Sequence, residues 1–158
     1  MQDLDDQDMQ ILDLLQQDGR MTHAELAQRV GLAAPTVQRR VRLLEERGYI
    51  KGYTALLDPL LLELTVTAFI FVESNAGCDL DTLGRFLGGL PGVQEVAHLF
   101  GEWCFLLKVR AASLQTLEQM VYQDLRKHPD VRRTQTTLSS SAAFETTRLP
   151  LKAPEAAL

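Results

Sequence analysis

Apolar positions recur with a helical period in the first third of the chain and cluster in β-branched and aromatic runs further on, so two differently built regions are expected. Leu4, Met9, Ile11, Leu12, Leu14 and Leu15 form one helical stripe behind an Asp-rich start, and Gly19 ends it. Thr22-His23-Ala24-Glu25 reads as a capping box, which predicts a second helix over residues 23–30. Gly31 can take the left-handed conformation of a sharp turn, and Pro35 suits the first turn of a third helix that continues to Gly48. In that helix Val37, Val41 and Leu44 recur at i, i+4 and i+7 and make the buried stripe. Tyr49-Ile50-Lys51-Gly52-Tyr53 then starts a strand or wing. Helix, turn, helix and wing together are how a winged helix-turn-helix looks in sequence.

Asp58-Pro59 marks a break, after which the periodicity changes. Residues 65–72 (TVTAFIFV) predict a strand and 79–90 a helix ended by Pro91-Gly92. Residues 93–100 and 103–109 read as strands joined by Gly101-Glu102. Ser113 caps a helix over 114–127, with Leu114, Leu117, Met120, Val121 and Leu125 on its apolar face, and residues 131–138 close the series as a strand. The order βαββαβ is the ferredoxin-like split arrangement. The expected fold class is therefore α+β. Its parts are a winged helix-turn-helix over 1–53, a linker strand over 54–64, a ferredoxin-like domain over 65–142 and a loosely held tail over 143–158.

Charge changes the picture in one place. The chain of 158 residues carries a net charge of −5, which alone argues against nucleic acid, because phosphate binding is driven by counterion release onto Lys and Arg. The distribution of that charge points the other way. Residues 1–19 hold six Asp and no base, whereas residues 20–53 hold seven bases against three acids, a local balance of +4 on the segment expected to read DNA. At 100° per residue Arg39 and Arg42 point away from the buried stripe, with Gln38 beside them. Thr36, Gln38, Arg39 and Arg42 are thus the candidates for base edges and phosphates, since Arg can bond guanine bidentately and Gln adenine. Arg40 lies on the flank of the stripe, placed for a phosphate or a helix carboxylate, and Lys51 is placed for a backbone contact.

Other chemistry is sparse. Cys78 and Cys104 lack CxxC or nearby His spacing, and His23, His98 and His128 are scattered, so no metal, catalytic or cofactor site is expected. The acidic start lacks a basic segment followed by an apolar one, and no apolar run approaches the roughly 18 residues of a membrane span. A cytoplasmic, nucleoid-associated protein without a membrane partner is expected.

With both halves in view, the chain resembles the Lrp/AsnC family of bacterial and archaeal transcription regulators. The resemblance runs from Leu4 to Leu138 and rests on LDDQDMQILDLLQQDGR, ELAQRVGLAAPTVQRRVRLLEERGYIKGY, LPGVQEVAHLFGEWCFLLKV and VRRTQTTL. It implies a RAM-type ferredoxin-like domain whose sheet pairs with that of another copy, dimers that assemble into tetramers or octamers, a partially palindromic double-stranded operator, and an amino-acid effector held between dimers. By resemblance the effector region comprises Leu99, Gly101, Glu102, Cys104, Thr134, Thr136 and Ser139. The family usually has Asp where Cys104 stands, in a motif like G-x-Y-D, and a neutral thiol cannot replace a charge-assisted bond to an ammonium group. Glu102 is the nearest carboxylate that could stand in. Many relatives also have a capping Ser where Ala33 stands, a loss that Pro35 offsets by fixing the first turn. Two alternatives share the pattern: an enzyme like the sirohaem decarboxylases, and an architectural DNA-binding protein of low sequence specificity. The row Gln38, Arg39, Arg40 and Arg42 on the recognition helix favours the regulator, because an enzyme would gain little from it.

Overall fold

The computed structural model describes residues 4–151, and its three N-terminal helices form where the sequence places them. In α1 (Asp6–Gln17) the Asp5 carboxylate accepts a bond from the backbone N–H of Asp8 at 2.8 Å, closing a capping box that the sequence pattern had not marked. In α2 (His23–Val30) Thr22 and Glu25 cap each other, and Gly31 at φ +71° turns the chain. In α3 (Ala34–Glu46) Ala33 offers no side-chain cap and Pro35 sits in the first turn. Val37, Val41 and Leu44 pack on Ile11, Leu26 and Ala27 to form a small core.

Past α3 the structure differs from expectation. Residues 49–53 form no strand: the N–H groups of Tyr49 and Ile50 fold back onto the Leu44 carbonyl as a helix end, and Gly52 has φ +153°. Residues 54–64 form no linker strand either. They close a turn at Pro59–Glu63, with Leu64 N–H bonded to the Pro59 carbonyl. A strand needs a neighbour for its backbone groups, and among the described residues no segment pairs with either stretch.

The second half follows the βαββαβ order: β1 (Val66–Ser74), α4 (Leu80–Gly88), β2 (Val93–His98), β3 (Phe105–Ala111), α5 (Leu114–Gln119) running on as a π-helical turn over Met120–Leu125, and β4 (Val131–Ser139). The sheet is antiparallel throughout, in the order β2-β3-β1-β4. Ala68, Ile70 and Val72 of β1 and Phe105, Leu107 and Val109 of β3 face α4 and α5 and join Leu83, Leu87, Leu117, Val121 and Leu125 in the core. The alternate residues Phe69, Phe71 and Leu106 are half-buried on the face that no helix covers.

The chain divides into two compact units, Met1–Leu56 with Glu145–Leu158, and Leu57–Phe144. Part of the tail is accordingly not loose. Arg148 and Leu149 are bonded to α1, which the low periodicity of the tail did not reveal; residues 152–158 of that expected tail lie outside the described residues.

Candidate nucleic-acid interface and ligand loop

The DNA-facing candidates separate into two groups once α3 is placed. Gln38, Arg39 and Arg42 are exposed, and Thr36 is half-buried beside them. Arg42 is 78 % exposed and meets Glu46, one turn on, at 2.7 Å. This pair is a solvent-screened helix contact, so it gives way to a phosphate or a base edge with little cost. Gln38 and Arg42 also line a groove of about 380 Å³, which continues over His23, Glu45 and Tyr53. The Tyr53 hydroxyl donates to Glu45 at 3.0 Å, and burial together with that carboxylate pushes the phenol up to about 12, keeping it a neutral donor. Lys51 is exposed just before it.

Arg40 belongs elsewhere. Its guanidinium is only 22 % exposed and is bonded to Asp5 and Asp8, each at 2.7 Å, and to the Gln7 side chain at 3.0 Å. The helix carboxylate foreseen for it is thus the cap of α1. The placement of Arg40 with the DNA-contacting residues is corrected accordingly, because a side chain with three local acceptors in a half-buried seat is not free to reach a phosphate. Asp5 is held below the ordinary carboxylate range, first by the backbone N–H of Asp8 and then by Arg40.

In the second unit the loop 99–104 joins β2 to β3, pinned by a bond from Leu99 N–H to the Cys104 carbonyl and another from Cys104 N–H to the Val72 carbonyl. Gly101 has φ +142°, open to glycine and strained for other residues. Cys104 packs on the core with its Sγ 3.2 Å from the Ser74 hydroxyl, whereas Trp103 turns to the uncovered sheet face against Phe71. Glu102 does not supply a free carboxylate. It bonds Arg133 at 2.6 Å, and Arg133 also reaches Glu73 at 2.9 Å and stacks on Trp103 at 4.4 Å. A bulge in β4 between the partners of Glu73 and Ser74 lets consecutive Arg132 and Arg133 both reach Glu73. Arg133 was missed in the sequence; its signal was alternation, which puts it on the uncovered face at the β4 end nearest the loop.

The remaining candidates are dispersed. Thr134 and Thr136 pair with Val72 and Ile70, so they share the helix-side face, whereas Ser139 pairs with Thr67 on the opposite face. Ser139 lies six residues from Arg133 along β4, about 20 Å at the strand rise. One chain therefore brings Leu99, Gly101, Glu102 and Cys104 together with the start of β4 and leaves Ser139 apart. Among the described residues no cluster of His, Cys, Asp or Glu could hold a metal ion, and no helix is long and apolar enough to cross a membrane.

Comparison with known proteins gives consistent neighbours. Residues 4–51 match the winged helix-turn-helix DNA-binding family model, and residues 66–149 match the Lrp/AsnC ligand binding domain. The leucine-responsive regulatory protein of Escherichia coli is 35 % identical over 153 residues, which covers 95 % of this chain and 93 % of that protein. Among solved structures, a transcriptional regulator from Neisseria meningitidis in complex with L-methionine superposes with a TM-score of 0.88 at 32 % identity, covering 94 % of this chain and 97 % of its own. The leucine response regulatory protein of Mycobacterium tuberculosis gives 0.79 at 33 %, covering 90 % and 96 %.

Proposed function

The chain belongs to the Lrp/AsnC family of DNA-binding transcription regulators with a ligand-binding domain, and from that premise we propose that it acts as a sequence-specific regulator, dimeric or larger, without enzymatic activity. The relatives named above are regulators, and the enzymatic alternative is not favoured. The observation that carries the reading is the outward row of Gln38, Arg39 and Arg42 on a helix seated against its own core. In this reading Gln38, Arg39 and Arg42 read bases, while Thr36 and Lys51 fix the backbone register. Two copies related by a two-fold axis address half-sites about 34 Å apart, so the operator is partly palindromic.

The effector is an amino acid or a small molecule close to one. L-methionine in the Neisseria relative supports the class. Because Glu102 is neutralised by Arg133 and a thiol stands at position 104, an ammonium group finds no unpaired carboxylate on this loop. Since Ser139 lies apart from the loop within one chain, a pocket using all the named residues is completed by another copy, as an octamer built from dimers would allow. A cytoplasmic, nucleoid-associated location follows from this role.

Selection of random duplex DNA on the purified protein at physiological salt, with and without mixed amino acids, tests the reading. A palindromic motif is expected, and recovery of no motif would move the protein to low-specificity architectural binding.

A further inference from the structure

The last described residues return to the first helix. The Gln16 side-chain amide accepts from Leu149 N–H at 2.6 Å and donates to the Leu149 carbonyl at 3.2 Å, so one side chain takes both backbone groups of one residue, as a neighbouring strand would. Three residues earlier on the same face of α1, Asp13 meets Arg148 at 2.6 Å, and the backbone N–H of Arg148 is itself tied to the Thr146 hydroxyl at 3.0 Å. Three of the four bonds bridge more than 130 positions of sequence. Leu149 is exposed, so polar docking rather than apolar burial holds the segment.

We propose that residues 145–149 are a strap that completes the DNA-binding unit, making this unit a composite of both chain ends. The chain leaves the unit after Leu56 and re-enters it at Glu145, soon after β4 has ended at Ser139. The DNA-binding unit is thereby attached to the second unit by two covalent crossings instead of one linker. Its helix α1 carries the strap at one end and, through Asp5 and Asp8, the Arg40 clasp of α3 at the other. The strap stabilises the helix on which the recognition helix is seated. It is also weak, because an exposed ion pair is screened by solvent and contributes little, so docked and undocked forms exchange readily. That makes the strap a conformational device, set by whatever pulls on the end of β4.

Amide hydrogen exchange of the full chain tests this without DNA or effector, so its failure is separable from failure of the regulator reading. Removal of residues 145–158, and separately the milder pair Gln16→Ala with Arg148→Ala, should speed exchange in α1 by about tenfold, the weight of two net hydrogen bonds. Exchange in β1 and β3 should stay unchanged and serves as the internal control for folding. The exchanged pair Asp13→Arg with Arg148→Asp should restore most of the protection lost in either single variant. Raising salt to about 1 M, where the screening length falls to about 3 Å, should move the parent chain toward the variants. Unchanged α1 exchange in the truncated chain, or acceleration spread equally over β1 and β3, would overturn the strap.

Discussion

Adjacent arginines on α3 sit in opposite settings. Arg39 is exposed and makes no ion pair among the described residues, whereas Arg40 is the half-buried hub of a three-acceptor seat. Replacing Arg40 by Ala leaves Asp5 and Asp8 facing each other without their cation, which should cost about 1.5–3 kcal/mol in urea unfolding, the range for hydrogen bonds to charged groups. Arg39→Ala should leave unfolding unchanged and relax discrimination at one base pair by about 1–3 kcal/mol in competition binding. Equal stability losses in the two variants would refute the division. The sequence located Arg40 on the flank of the buried stripe and even offered a helix carboxylate as partner. Which helix was not legible, because Asp5 lies 35 positions away and only the packing of α1 on α3 brings it near. The same seat carries a pH signature. Asp5 is depressed in the folded state, so its contribution is fully present above the ordinary carboxylate value near 3.8 and is lost as pH falls through the lower folded value. Asp5→Asn, which keeps a cap acceptor, should therefore flatten the acid limb of the stability curve below that value and leave the neutral limb parallel to the parent.

At the scale of elements, what was legible depended on whether a segment is satisfied locally. The capping box of α2, the left-handed Gly31 and the i, i+4, i+7 stripe placed the helices within a residue or two, because each is a short-range arrangement. The strands of the sheet were legible as well, since their β-branched runs all find partners in the chain. Residues 49–64 carry the same apolar character, yet a strand there has no partner among the described residues, and pattern alone does not say whether a partner exists. The π-helical turn after α5 was equally hidden. It is marked by Arg126 N–H bonding the Val121 carbonyl five residues back, a widening that keeps Leu117, Val121 and Leu125 on the core side at spacings of four. The uncapped start of α3 offers a direct check. Ala33 already has the extended backbone of a cap at φ −71° and ψ 141°, so an Ala33→Ser hydroxyl can share the Thr36 N–H, which at present donates to the Ala33 carbonyl at 2.9 Å. Pro35 has already removed one orphan donor, which puts the gain at the low end of the capping range, about 0.5–1 kcal/mol, visible as a rise in thermal midpoint.

The whole molecule presents surfaces that one copy does not bury. Leu56, Leu57, Leu60, Leu61 and Leu62 are exposed on the connecting segment, and Phe69, Phe71 and Leu106 lie on the sheet face opposite the helices. Exposed apolar side chains grouped in this way fit an interface, and under the proposed reading of a palindrome the fitting partner is a second copy. Pairing also accounts for how a chain with net charge −5 grips DNA. Recognition needs only the local excess of base on residues 20–53, and in the proposed dimer two such segments would reach both half-sites at the entropic cost of one encounter. Placing a charge on the uncovered sheet face should separate these effects. Leu106→Asp removes apolar area from the face without touching either α3 or its core, so each DNA-binding unit should keep its helix exchange protection and its affinity for a single half-site. Sedimentation should show a smaller assembly than the parent, and affinity for the palindrome should fall by about 10²–10⁴, the usual advantage of linked binding. If the variant monomerises and binds the palindrome as tightly as the parent, the two recognition helices act independently, and the operator's symmetry does not derive from that of the protein.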